Sequence, residues 1–182
     1  LLQTIYFHRH GQTPHSLRGT GYGNDQYRSM LTERGIREAE LLGEELAKRE
    51  KFEIYYSSPL PRAVQTATIV QRYINVPLEA EPALIEPINE AQKDTWERVT
   101  KFAHRLKDTP HQRILLSTHG YVFYCLTAYF RGLDLRELKD FKNPPTGAFG
   151  WVELLDGTPT RACRESAGHL AVLDINPLAE VV

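Results

Sequence analysis

Long apolar runs, cysteines and excess charge are all scarce in this chain. No stretch approaches the roughly 20 consecutive apolar residues of a membrane-spanning helix, so no membrane partner is expected. The two cysteines, Cys125 and Cys163, stand apart with no Cys-x-x-Cys pair. That spacing speaks against a thiolate zinc site or a disulfide-stapled scaffold, and both thiols read as small packed core residues. With no secretory leader in view, a reducing, cytoplasmic setting is expected. Acids and bases nearly balance, 23 Asp and Glu against 22 Lys and Arg, for a formal charge of -1. Such a balance gives no broad positive surface for nucleic acid, although it permits a local positive pocket. Repeats, low-complexity tracts and interdomain linkers are also missing. The 182 residues, 41% of them hydrophobic, suffice for one well-filled core and are few for two, so residues 1–182 are expected to form a single domain.

Strand and helix patterns alternate along the chain. A β-rich run, Thr4 to Phe7, stops at Arg9-His10-Gly11. From Pro14 to Ser29 the chain is polar, rich in Gly and without hydrophobic period, which reads as a loop over a ligand or a mobile one. Thr32 can cap a helix with Ile36, Ala39, Leu42, Leu46 and Ala47 at helical spacing. Glu53 to Ser57 reads as a strand, and Pro61 suits the first turn of a helix burying Ala63, Val64, Ala67, Val70 and Ile74. Pro77, Pro82 and Pro87 punctuate a short strand and an irregular loop. Trp96, Val99, Phe102, Ala103 and Leu106 form the next helical stripe. Arg113 to Thr118 is a buried strand, Tyr121 to Arg131 an apolar helix, and Asn143-Pro144-Pro145 an extended turn. Ala148 to Leu154 and Leu170 to Ile175 read as closing strands, with a turn at Asp156-Gly157. The pattern predicts an α/β protein, a three-layer α/β/α sandwich with a mostly parallel central sheet.

In such sheets ligands bind beyond the carboxyl ends of the strands. Arg9, His10, Arg62 and His119 each fall just after a strand-like run, and Glu86 follows Leu84-Ile85. Two His, two Arg and one Glu thus converge on one sheet edge. Guanidinium groups are planar, permanently charged donors suited to phosphate or carboxylate oxygens, so the expected ligand is a small anion.

Arg9-His10-Gly11-Gln12-Thr13, Leu31-Thr32-x-x-Gly35, Ser57 to Ala67 and Ser117-Thr118-His119-Gly120 together resemble the histidine phosphatase superfamily, which includes the phosphoglycerate mutase-like proteins. The resemblance runs from Ile5 to about Leu173. It implies that His10 is a nucleophile forming a phosphohistidine, that Arg9, Arg62 and His119 bind the phosphate, and that no metal or other cofactor is used. Neighbouring Arg9 and Arg62 should keep His10 unprotonated by like-charge repulsion. Glu86, matching the family's Leu-x-Glu segment, is the expected general acid, with Glu90 and Asp94 as the other carboxylates of that loop. His8 is expected to face away from His10 by strand alternation, and His15, His104, His111 and His169 are read as non-catalytic, His15 being the likeliest exception.

Two departures qualify the resemblance. Ser16 stands where many members have Asn, removing one side-chain contact to phosphate, and only a short segment separates Glu86 from the Trp96 helix, where larger members insert a helical cap. The expected activity is metal-independent hydrolysis of a small-molecule phosphomonoester or a phosphoprotein. A protein phosphohistidine phosphatase and a phosphoglycerate-type mutase are the enzymatic alternatives, and a phosphate-ligand binding module or scaffold is the non-enzymatic one.

Overall fold

A computed structural model describes residues 1–136, 143–166 and 169–173, with side chains described as far as Arg161 outside the gap. Seven strands form one sheet in the order β3-β2-β4-β1-β5-β6-β7: β1 (Leu2–Arg9), β2 (Ile54–Ser57), β3 (Leu78–Ala80), β4 (Arg113–Thr118), β5 (Ala148–Leu155), β6 (Thr158–Ser166) and β7 (His169–Leu173). The four strands β3, β2, β4 and β1 run parallel. An antiparallel ribbon of β5, β6 and β7 extends the sheet from the far side of β1.

Among the described residues five α-helices accompany the sheet: α1 (Pro14–Arg18), α2 (Glu33–Arg49), α3 (Pro61–Ile74), α4 (Gln92–Leu106) and α5 (Gly120–Phe130). Strand alternation sorts the core into two layers. Ile5, Phe7, Ile54, Ile114, Leu116, Val152 and Leu154 meet α4 and α5 on one face. Tyr6, Tyr55, Leu115 and Phe149 meet α2 and α3 on the other. Burial on both faces explains why β1 and β4 read as nearly continuous apolar runs. The α/β/α sandwich is as expected.

Several details differ from the sequence reading. The loop from Pro14 to Ser29 contains α1 and a short 3-10 turn, Gly23–Tyr27. Thr13 caps α1 through a reciprocal box with Ser16, and Gly19, at φ 67°, ends it. Val64 on α3 and Ala47 on α2 are exposed, and Ile69 is buried where no core position was expected. The antiparallel strand β6 was not anticipated. Its hairpin with β5 turns on Asp156 and Gly157, both at positive φ, the left-handed pair that a two-residue hairpin loop requires. Side chains at Cys163 and His169, and all of Asp174 and Ile175 from the expected last strand, lie outside the described residues. Cys125 is buried in α5 as a core residue. Among the described residues no helix is long and apolar enough to cross a membrane.

Candidate active site

The parallel register brings four chain segments to one edge. Arg9 pairs with Thr118 at the ends of β1 and β4, and Ser57 pairs with Ser117 at the end of β2. Arg9 closes β1, His10 follows it, Arg62 opens α3 after Pro61, and His119 precedes α5. Glu86 arrives from the segment after β3, where the Thr118 hydroxyl donates to the Leu84 carbonyl at 2.9 Å and fixes that segment to the end of β4.

Motif residues outside the pocket hold these segments together. The Gly11 N–H donates to Thr66 Oγ1 at 3.1 Å, and the Leu31 N–H donates to Gln65 Oε1 at 2.7 Å. Thr32 caps α2 and binds Gln12, its own N–H donating to the Gln12 carbonyl at 2.9 Å. Gly11 and Gly35 interlock there: a Cβ on Gly35 would lie 2.1 Å from the Gln12 carbonyl oxygen, and one on Gly11 would lie 2.3 Å from that of Gly35. Both positions need glycine for close approach of two backbones.

His10 is buried, and its Nδ1 lies 2.8 Å from the Gly11 carbonyl oxygen. A carbonyl only accepts, so the proton sits on Nδ1 and Nε2 keeps its lone pair. Burial holds the ring well below the ordinary His pKa, and repulsion by Arg9 and then Arg62 adds to this. The expected direction is right, with burial the larger cause. His119 lies with its ring centroid 5.2 Å from that of His10 and is held neutral in the same way, by burial first and Arg62 second. Its Nε2 is 2.8 Å from Ser58 Oγ.

Arg62 is fully buried, and its Nη2 donates to Gln26 Oε1 at 2.8 Å while Nη1 donates to the Gln26 carbonyl at 3.2 Å. Tyr22 covers its face at 3.8 Å from the ring centroid. Arg9 donates from Nη1 to the Pro144 carbonyl at 2.5 Å. Glu86 is half-buried, with Oε1 accepting from the Tyr121 N–H at 3.3 Å in the first turn of α5. Burial of the carboxyl raises its pKa, against the lowering pull of that N–H and of Arg62 and Arg9.

Four buried polar atoms have no hydrogen-bond partner among the described residues at this edge: Arg9 Nε, Arg62 Nε, His119 Nδ1 and Glu86 Oε2. Leaving such atoms unpaired costs about 1–3 kcal/mol each, so their concentration in one place marks a polar ligand site. A cavity of about 510 Å3 opens there, with Arg9, Ser16, Tyr22, Gln26, Glu86 and Asn143 among its walls. A groove of about 640 Å3 beside α3, with Met30, Val64 and Ile69 in its walls, includes none of the five expected site residues, whereas the 510 Å3 cavity includes Arg9 and Glu86.

The structure thus brings together all five residues expected from sequence. It sets aside the other candidates. Glu90 is bound by Arg98, whose Nε donates at 3.0 Å, and this hydrogen bonding holds its carboxyl below the ordinary range. Asp94 is exposed in the first turn of α4. Residues two apart on a strand share a face, so alternation could not place His8 opposite a strand-continuing His10. His8 lies on the Tyr6 face, where Nδ1–H donates to the Arg9 carbonyl at 3.2 Å and Nε2 accepts from the Tyr55 hydroxyl at 2.5 Å. Ser16 spends its hydroxyl on the α1 cap. Tyr22, Gln26 and Ser58 were missed as site residues. The aromatic in a Gly-rich loop beside a candidate phosphate-binding Arg was the one available signal for Tyr22.

Fold and site together define an α/β protein that gathers two arginines, two histidines and a carboxylate beyond the ends of its parallel strands. The sequence model of the histidine phosphatase superfamily (branch 1) matches residues 5–89 and 86–163, and the chain belongs to that superfamily. A relative in Hydrogenobacter thermophilus, provisionally named phosphoserine phosphatase 2, is 24% identical over 171 residues, covering 75% of this chain and 83% of its own. Bacillus stearothermophilus YhfR has a similar structure, with TM-score 0.75 and 24% identity over 97% of this chain and 99% of that one. The alpha-ribazole phosphatase from Shigella flexneri gives TM-score 0.75 and 22% identity over 86% of this chain and 93% of that one.

Proposed function

We propose that this protein is a metal-independent phosphomonoester hydrolase working through a phosphohistidine on His10. The observation that carries the reading is the Nδ1 bond of His10 to the Gly11 carbonyl, which leaves Nε2 as the lone-pair nitrogen beside the unpartnered donors of Arg9, Arg62 and His119. Family membership and the phosphatase names of the relatives support it.

In this scheme Nε2 attacks phosphorus as the P–O bond to the leaving group breaks. Arg9, Arg62 and His119 hold the equatorial oxygens, supplying positioning and charge stabilisation. A Ser58 hydroxyl donating to His119 Nε2 places the imidazole proton on Nδ1, the atom in need of an acceptor. Glu86, whose raised pKa favours the protonated form, gives its proton to the leaving oxygen. Its carboxylate then takes a proton from the water that attacks phosphorus, and the P–N bond breaks to release phosphate.

The test is turnover of p-nitrophenyl phosphate by wild type and His10→Ala, with rapid-quench trapping of labelled phosphate on the protein. The folded variant should lose essentially all activity, and wild type should carry an acid-labile, base-stable label. Activity retained by folded His10→Ala refutes the assignment.

A further inference from the structure

Arg62 is gripped by residues of the Gly-rich segment from Pro14 to Ser29. Gln26, from the 3-10 turn Gly23–Tyr27, is buried at 8% exposure and takes one proton from each terminal nitrogen of the guanidinium. Its carbonyl and its side-chain amide oxygen are the two acceptors. The planar group has five N–H bonds in fixed directions. Two of them point at Gln26, and Tyr22 blocks one face at 3.8 Å. Nε–H is buried and has no acceptor among the described residues, while Nη2 keeps a second N–H parallel to it.

The Tyr22 ring is itself fixed. Its hydroxyl lies 2.7 Å from Thr13 Oγ1, and the His15 ring stacks on it at 4.8 Å between centroids. Gln26 and Tyr22 thus fix the orientation of the Arg62 guanidinium.

From this geometry we infer that Gln26 is a positioning residue of the site, holding the end edge of the Arg62 guanidinium so that its side edge, Nε and Nη2, presents two parallel donors to the phosphoryl oxygens. The inference rests on the phosphatase reading for the identity of the ligand. A neutral amide suits this role better than a carboxylate does. Glutamate at position 26 would orient the same edge while neutralising the cation that the phosphoryl group needs.

The experiment compares wild type, Gln26→Met, Gln26→Glu, Arg62→Lys and Gln26→Met/Arg62→Lys. Readouts are kcat/KM for p-nitrophenyl phosphate, orthovanadate affinity by calorimetry, and Tm. Losing the held geometry should lower kcat/KM and vanadate affinity of Gln26→Met roughly 10- to 100-fold, the scale for displacing one catalytic contact. The same change in the Arg62→Lys background should cost less than about threefold, because the group that Gln26 orients is already gone. Gln26→Glu should keep Tm at or above that of wild type and still lose about tenfold or more in vanadate affinity, a split that a merely structural residue would not produce.

The inference is overturned if Gln26→Met lies within about twofold of wild type in both readouts, if the two substitutions combine multiplicatively, or if Gln26→Glu binds vanadate as wild type does. Should Gln26→Met fail to fold, the Gln26→Glu split decides. Wild type that binds vanadate without turnover refutes hydrolysis, and the vanadate comparison still judges Gln26. Wild type that does neither refutes both.

Discussion

Acid should unfold this protein through its buried histidines. His8 is fully buried on the α2/α3 side, and burial lowers its pKa from the ordinary 6.5 to about 4. Above pH 6.5 the ring is neutral in both folded and unfolded chains, and its pH-linked contribution to stability is fully present. Between 6.5 and 4 the unfolded chain takes up a proton that the folded one refuses, so stability falls as pH falls. A gap of about 2.5 pH units at roughly 1.4 kcal/mol per unit amounts to about 3 kcal/mol from His8 alone. His10 and His119, held low by burial and by the arginines, act in the same direction. Glu86 acts oppositely, since its raised carboxyl pKa makes the folded state bind its proton more readily. Glu90 contributes only further down, because a lowered carboxyl pKa loses its stabilisation as pH falls below its ordinary 4.5. Against a total of about 5–15 kcal/mol, the roughly 3 kcal/mol from His8 is already a large fraction, and His10 and His119 add to it in the same direction. Urea titrations followed by tryptophan fluorescence from pH 8 to 5 measure the slope. His8→Gln should reduce it by roughly 1.4 kcal/mol per pH unit through the lower part of that range. Stability that stays level within about 1 kcal/mol from pH 7 to 5 would refute the argument and with it the burial of neutral imidazoles.

Other outcomes concern the site directly. Glu86→Gln should slow hydrolysis of alkyl phosphates far more than that of p-nitrophenyl phosphate, whose leaving group needs little protonation; equal losses in kcat would remove the acid role. The same variant should have a higher Tm than wild type above neutral pH, since it removes a carboxylate whose ionisation burial disfavours. Arg62→Ala and His119→Ala should each lower kcat/KM by a factor on the order of 100 or more, and losses under about tenfold would argue against either as a transition-state donor. Gly35→Ala forces the Gln12 backbone to move two residues from His10, so kcat should drop by on the order of 100-fold along with Tm; wild-type kcat in a folded variant would show that the Gly11–Gly35 contact does not position the nucleophile.

The parts legible in the sequence are those fixed by local pattern. β4 runs from Arg113 to Thr118 as read, because a strand buried on both faces has no other composition. Arg9, His10, Arg62 and His119 were legible because each lies at a strand end or shortly after one, in motifs that resemble one family. The Pro14 to Ser29 segment was illegible for the opposite reason. Its order comes from the Thr13–Ser16 cap, the His15–Tyr22–Arg62 stack and the grip of Gln26, which join residues through contacts that no periodicity encodes. The strand β6 was hidden because Arg161, Arg164 and Glu165 interrupt any alternation, and the Asp156-Gly157 turn was its main trace. Val64 occupies an apolar position in the helical stripe yet faces outward, since the buried side of α3 is set by Ala63, Thr66, Ala67 and Val70.

On the proposed reading, the same illegible segment also controls access to phosphorus. The chain between β3 and α4 is short and pinned: Arg98 Nη1 donates to the Ala83 carbonyl at 2.6 Å and its Nε donates to Glu90. Among the described residues it therefore supplies Glu86 and nothing that folds over the pocket. Among the described residues, the exposed part of the wall includes Gly19, Thr20 and Gly21, ahead of Tyr22 and Gln26. Water can reach a phosphoryl group through such a wall, whereas keeping a phosphohistidine long enough to return it to a bound substrate calls for a dry, closed site. Hydrolysis is the outcome that this wall favours over transfer.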